Sequence, residues 1–144
     1  MDTAINEAKH VVINDAKPLL FKTFDNGGSL VPITGSKEVP FDINRIFYVW
    51  GVSDKEVRGK HAHYDCHQVI ICLRGTLKIL LDDSKERKIQ TLSGPGQGLL
   101  VPAGIWAVET YLDDAVMLVL CSHEYNSEDY IHSYKEFVEW KHIA

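Results

Sequence analysis

The sequence predicts an all-β fold, an antiparallel sandwich or barrel with one short C-terminal α-helix. Three observations carry that expectation. Runs rich in β-branched, aliphatic and aromatic residues recur about every ten residues, turn-forming clusters separate them, and no amphipathic helices are interleaved. Without crossover helices, a parallel α/β sheet has nothing to join its strands.

The strands are read in order near "AKHVVIN", "PLLFKTFD", "GSLVPI", "INRIFYVWGV", "KHAHYDCHQVIICLRG", "TLKILLDD", "KIQTLS", "QGLLVPAG", "WAVETYLD" and "AVMLVLCS". The breaks hold "DNGG", "SDKE", "DDSKE", "SGPGQG", "PAG" and "DD", residues that tolerate positive φ or bond their own backbone. The apolar stretch at about residues 8–14 precedes the rest and is free to pair elsewhere. Near the end, "SEDYIHSYKEFVEWKH" predicts a helix over about 127–140. Ser127 can cap it, Glu128 and Asp129 suit its positive end, and Ile131, Tyr134, Phe137 and Val138 repeat at helical spacing. That stripe predicts packing against the sheet.

The 144 residues make one domain, long enough to bury a core without disulfides or a structural metal. A net charge of -5 with no basic block gives no reason to expect a nucleic-acid partner, though local arginines can hold a small anion. No run approaches the ~18 apolar residues of a membrane helix, and "MDTAINEAKHVVIND" lacks a signal-peptide core. Cys66, Cys72 and Cys121 are odd in number, have no C-x-x-C spacing and sit in strand-like sequence, which predicts free buried thiols. Together these features predict a cytoplasmic protein.

The chemistry concentrates in "RGKHAHYDCHQ", Arg58 to Gln68. Residues two apart on a strand share a face, so His61 and His63 project into one cavity. A same-face histidine pair beside Arg58 costs solvation unless something uses it. With Gly59 before it and Gly75 after it, this His-x-His resembles the first cupin motif, and Gly96 to Val101 followed by "PAGIWA" resembles the second. The resemblance implies a cupin jelly-roll. Metal-binding cupins add a Glu and a last His. Here those slots hold Gln68 and Ala107, which leaves two ligands of four and no carboxylate. His67, next to Gln68 on a strand, should point the other way. No metal is expected.

More of the chain, from about Asp25 to Phe137, resembles the sugar 3,4-ketoisomerases acting on TDP-4-keto-6-deoxyglucose. The specific marks are Arg-Gly-x-His-Ala-His followed by Gln, and the Tyr-x-x-x-Asp-Tyr-Ile ending. The resemblance implies a metal-free enzyme that moves a keto group from C4 to C3 of a TDP-linked deoxysugar. It needs no cofactor and supplies ketones for the aminated sugars of bacterial surface polysaccharides. It also implies a homodimer in which an N-terminal strand joins the partner's sheet.

The residues suit that reaction. A C3 proton beside a C4 ketone is acidified, and an imidazole with a pKa near ~6.5 is matched to remove it. His61 is the expected base, with His63 positioning or stabilising the enediolate. Gln68 or a Tyr can donate to the developing charge. Arg45 and Arg58 are the candidates for the pyrophosphate, and Tyr48, Trp50 and Trp106 for stacking on thymine. Two positions depart from the family pattern: Gly27 stands where Arg or Tyr is usual, and Ala107 where Arg or His is usual. Both bear on the C4 stereochemistry of the product. The competing classes are a sugar-nucleotide epimerase, a non-catalytic sugar-nucleotide binder and a metal-dependent cupin.

Overall fold

The structure is a computed structural model that describes residues 7–143. Its strands are β1 (Lys17–Leu20), β2 (Phe24–Asp25), β3 (Ser29–Leu30), β4 (Arg45–Val49), β5 (Val57–His63), β6 (Gln68–Asp82), β7 (Arg87–Leu92), β8 (Gln97–Val101), β9 (Trp106–Cys121) and β10 (Tyr130–Ile131), followed by helix α1 (Tyr134–Lys141). All the ladders between these strands are antiparallel.

Two long strands organise the sandwich. β6 and β9 pair from Gln68 opposite Cys121 to Asp82 opposite Trp106. The first part of β6 has β8 on its other side and the last part has β7. Likewise β5 borders the start of β9, and β4 its end. One sheet therefore reads β1-β8-β6-β9-β4 and the other β7-β6-β9-β5-β10.

The long strands change sheets at a corner. The β6–β9 register shifts on both sides of Arg74, Gly75 has φ 76°, and Asp113 and Asp114 sit at φ 57° and 56°. A Cβ at residue 75 would stand 2.6 Å from the Asp113 carbonyl oxygen. The "RG" and "DD" signals, expected to end strands, instead bend continuous ones. The expected strands "WAVETYLD" and "AVMLVLCS" are thus parts of β9, and "TLKILLDD" continues the second half of "KHAHYDCHQVIICLRG" in β6, while the first half of that stretch breaks off at His63 as the end of β5.

The main core lies between the sheets and includes Ile70, Leu77, Ile79, Leu81, Leu99, Tyr111 and Val119. Phe21, Val39, Phe41 and Leu100 form a second cluster, and Ala62, Trp106, Ile131 and Phe137 a third. The last is the packing of α1 that the aromatic stripe predicts. The three cysteines are free and buried, as expected. Among the described residues no helix is long and apolar enough to cross a membrane.

Two expected elements are corrected. "AKHVVIN" is not a strand but two 3-10 turns, Ala8–His10 and Ile13–Asp15. Val11 and Ile13 are buried in this chain's own core. Side chains answer their backbone in place of a ladder: Asp83 Oδ2 accepts from the Ile13 N–H at 2.7 Å, and Lys141 Nζ donates to the Val11 carbonyl at 2.6 Å. The helix starts later than Ser127. Residues Ser127–Asp129 make a 3-10 turn and Tyr130–Ile131 pair with His63 and Ala62 of β5. Ser133 then caps α1 by accepting from the Glu136 N–H at 3.2 Å.

Gly75→Ala tests the corner. A side chain there meets a carbonyl below contact distance at a positive φ, so the variant should lose about 1–3 kcal/mol in urea unfolding with an unchanged slope. Equal stability of variant and parent would show that the corner relaxes freely.

Candidate active site

A cavity of about 610 Å³ opens inside the sandwich, within the range of small-molecule sites. β4 contributes Arg45, Phe47, Tyr48 and Val49 to its wall, β5 contributes Val57, Arg58, Gly59 and His61, and β6 contributes Gln68 and Ile70. Glu109, Met117 and Val119 come from β9, and Tyr125, Tyr130 and His132 from the C-terminal segment.

A bulge decides which β5 side chains face inward. Arg58 pairs with Glu109, Gly59 with Val108 and His61 with Ala107, so β5 carries one residue more than β9 between these rungs. In a regular strand Arg58 and His61, three apart, would face opposite ways. The extra residue reverses that parity and turns both into the cavity. Gly59 at φ 87° and Lys60 at φ 57° form the bulge. A Cβ on Gly59 would lie 2.5 Å from Glu109 Oε2.

The two histidines are held differently. His61 Nδ1 is 3.1 Å from the Gly59 carbonyl oxygen. A carbonyl only accepts, so Nδ1 carries the proton and Nε2 keeps a lone pair. Burial, then the neighbouring His63, push the His61 pKa down to about 4. The ordinary value expected for this base is thereby corrected: His61 is neutral at pH 7 and a weaker base than a free imidazole.

His63 does not line the cavity and is only 6 % exposed. Its Nδ1 donates to Asp129 Oδ2 at 2.8 Å, and its buried Nε2 has no hydrogen-bond partner among the described residues. The two rings meet edge to face at 5.1 Å.

Asp129 also accepts from the backbone N–H of Asp65 at 2.7 Å and of Cys66 at 3.2 Å, closing the turn between β5 and β6. Burial alone would raise its pKa, but the bonds from His63 and these amides outweigh it and hold the carboxyl below its ordinary range. His63, Cys66 and Asp129 bring potential ligand atoms within 4.8 Å of one another, at the turn and not between the two histidines.

The cavity thus carries His61 on its wall, His63 against that ring, and an aromatic C-terminal segment. The profile described as "FdtA: WxcM-like, C-terminal" matches residues 14–142. The chain belongs to that family.

A TDP-4-oxo-6-deoxy-alpha-D-glucose-3,4-oxoisomerase of Aneurinibacillus thermoaerophilus is 38% identical over 120 residues, 83% of this chain and 86% of that one. The sugar 3,4-ketoisomerase QdtA of Thermoanaerobacterium thermosaccharolyticum, solved with TDP, superimposes with a TM-score of 0.86 at 35% identity, covering 89% of this chain and 95% of its own. A dTDP-4-dehydrorhamnose 3,5-epimerase of Elizabethkingia anophelis has a TM-score of 0.67 over 83% of this chain and 75% of its own; at 17% identity it shares the fold alone.

Within this FdtA-family fold, Arg45, Arg58, Tyr48, Gln68 and His61 all reach the cavity, with His63 directly behind. Arg45 lies over the Phe47 ring at 4.7 Å and the Tyr125 ring at 5.0 Å. Tyr48 is 62 % exposed and faces Trp50, which is not in the lining. Gln68 Nε2 contacts Cys121 Sγ at 3.7 Å. His67 faces away, as expected, with Nδ1 accepting from the Ala103 N–H.

Trp106 requires correction. It is absent from the cavity wall and packs under α1 against Tyr134 and Phe137. Strand alternation explains this, since Ala107 faces His61 and its neighbour must face out.

Sequence reasoning missed Asp129, Tyr130, His132, Tyr125 and Glu109. Tyr125, Asp129 and Tyr130 were present in the Tyr-x-x-x-Asp-Tyr-Ile motif, but a two-residue strand carries no periodic signal. Glu109 had a signal: a lone acid on the inward face of "WAVETYL", two residues from Ala107.

Asp129 sets a pH dependence of stability. Its folded pKa is depressed, so its contribution is full above the unfolded value of ~3.9 and disappears as pH falls through the folded value. In the wild type the thermal midpoint should drop steeply below about pH 4. Asp129→Asn should flatten that drop; an unchanged acid slope would remove Asp129 as its source.

Proposed function

We propose that this chain is a sugar-nucleotide 3,4-ketoisomerase that converts TDP-4-keto-6-deoxyglucose to a TDP-3-keto-6-deoxyhexose. One observation carries the mechanism. His61 stands on the cavity wall with Nδ1–H committed to the Gly59 carbonyl, which leaves Nε2 as the unprotonated nitrogen of the ring.

In this reading His61 Nε2 takes the C3 proton, and the C–H electron pair becomes the C3=C4 bond of an enediolate. The same nitrogen returns the proton at C4. Because His61 stays neutral down to about pH 4, it is in its basic form throughout the physiological range. His63, fixed by Asp129, supports the His61 ring from behind and keeps it in one orientation. Arg45 and Arg58 take the pyrophosphate, Gln68 donates to the sugar and Tyr48 offers a face to thymine. The reaction uses no metal: Gln68 and Ala107 stand where cupin metals require a carboxylate and an imidazole. The biosynthetic role implied is a cytoplasmic step toward a deoxyamino sugar.

The decisive experiment follows TDP-4-keto-6-deoxyglucose by NMR in deuterated buffer. His61→Asn should lower turnover by about 10²–10⁴-fold, the usual weight of a general base, and abolish deuterium entry at C3. TDP affinity should stay the same, because the imidazole acts at the sugar. If His61→Asn turns over normally and His63→Asn is inactive, the roles are exchanged; if both remain active, the mechanism fails.

Nucleotide binding is checked separately by calorimetry with TDP. Arg45→Ala or Arg58→Ala should weaken it by about 1.5–3 kcal/mol, the range for charge-assisted bonds. Unchanged affinity in both would move the pyrophosphate elsewhere.

A further inference from the structure

Isomerising a hydroxy ketone requires two proton transfers. One proton moves from carbon C3 to carbon C4, and a second moves from the C3 hydroxyl to the C4 oxygen. His61 accounts for the first. On the wall beside His61 the Tyr130 and His132 rings lie at 5.0 and 6.1 Å, and neither is a carboxyl; Ala107, which pairs with His61, brings no polar side chain.

Glu109 is the one carboxyl among the described residues that line the cavity, and it is only 7 % exposed. It lies two residues beyond Ala107 on the same face of β9, about 6.6 Å along the strand. The rungs Ala107–His61 and Glu109–Arg58 are therefore successive on this face, with only Gly59–Val108 between them, and a bound pyranose can touch both. The bulge clears room for this acid, because any side chain at residue 59 would collide with Glu109 Oε2.

We propose that Glu109 is a catalytic residue of the isomerisation, a carboxylic acid that relays the hydroxyl proton from the C3 oxygen to the C4 oxygen of the sugar. The proposal rests on the ketoisomerase reading.

The step balances. As His61 removes the C3 proton, the C4 carbonyl π pair moves to oxygen and takes the proton from one Glu109 oxygen, giving a neutral enediol. The other Glu109 oxygen then takes the C3 hydroxyl proton as C3=O forms. The C=C pair collects the proton held by His61 at C4. Both residues end as they began, and no oxidant or reductant takes part. A carboxyl group suits two vicinal oxygens because it donates from one atom while accepting at the other.

The surroundings leave the acid about half protonated at pH 7. Burial raises the Glu109 pKa to about 7, while Arg58 and the hydrogen bond from Tyr111 pull the other way. Arg58 and His63 of β5 are the charged or titratable groups acting on it from across the ladder, with His61 on the next rung. Tyr111 OH, on β9 itself, donates to Oε1 at 3.5 Å. From β6 its direct partner is the apolar Ile79. Turnover should therefore fall as pH rises through about 7, where the proton to be relayed is lost.

The test compares wild type, Glu109→Gln and Tyr111→Phe in the full chain with TDP-4-keto-6-deoxyglucose. Glu109→Gln should bind TDP within about two-fold of wild type and lose about 10²-fold in turnover, the lower end of acid–base effects. It should still exchange the C3 proton with solvent, so exchange outruns product formation, and the alkaline limb near pH 7 should vanish. Tyr111→Phe keeps the acid but removes a bond to its charged form, so it should stay active with that limb moved to higher pH.

A wild type that fails to isomerise the sugar nucleotide defeats the ketoisomerase reading itself. An active wild type with an equally active Glu109→Gln and the same pH profile overturns the role of Glu109 alone. If Glu109→Gln does not fold, an unmoved alkaline limb in Tyr111→Phe overturns it instead.

Discussion

Strand alternation is the constraint on which the site depends, and a single extra residue in β5 sets its phase. A β-strand offers every second side chain to one face. Between the rungs Arg58–Glu109 and His61–Ala107, β5 spends two residues where β9 spends one. Without that bulge the cavity could hold His61 or Arg58 on this strand, but not both. The bulge needs positive φ at Gly59, and the space beside Gly59 is already taken by the Glu109 carboxylate. One glycine thus couples the phase of the catalytic strand to the placement of the acid opposite it.

The same alternation explains what the sequence could and could not disclose. Most strands were legible because apolar runs and turn clusters are local signals. The corner at Gly75 and Asp113–Asp114 was legible as a pair of breaks but not as a bend, since the chemistry that tolerates a turn also tolerates a change of sheet within one strand. The segment at Val11–Ile13 reads as a strand by composition. It instead links two 3-10 turns, Ala8–His10 and Ile13–Asp15, and Asp83 and Lys141, about 70 and 130 residues away, bond its backbone. Such long-range partners leave no trace in a local pattern.

In the site, an inward His61 and both arginines followed from spacing and resemblance, whereas the place of His63, behind the wall and bonded to Asp129, depends on a two-residue strand closing onto β5. Trp106 was misplaced for a different reason: once Ala107 is opposite His61, parity excludes its neighbour. That inference was available from the sequence and concerns the phase of the strand, not residue type.

Burial acts on the two proposed proton carriers in opposite senses, and that opposition makes them a pair. Low polarity disfavours whichever form is charged, so it pushes the imidazole of His61 down to about 4 and the carboxyl of Glu109 up to about 7. At neutral pH the cavity then holds a neutral base and an acid that is about half protonated, the combination a keto–enediol interconversion needs. In a metal-dependent cupin a cation would polarise the ketone. Here Gln68 and Ala107 occupy two of the slots such an ion would use, and in the proposed reaction a proton meets the charge developing on the C4 oxygen instead. A weak base such as His61 removes a carbon-bound proton more readily when that oxygen is neutralised as the proton leaves. The low basicity of the histidine and the raised pKa of the glutamate are in this way two consequences of the same burial.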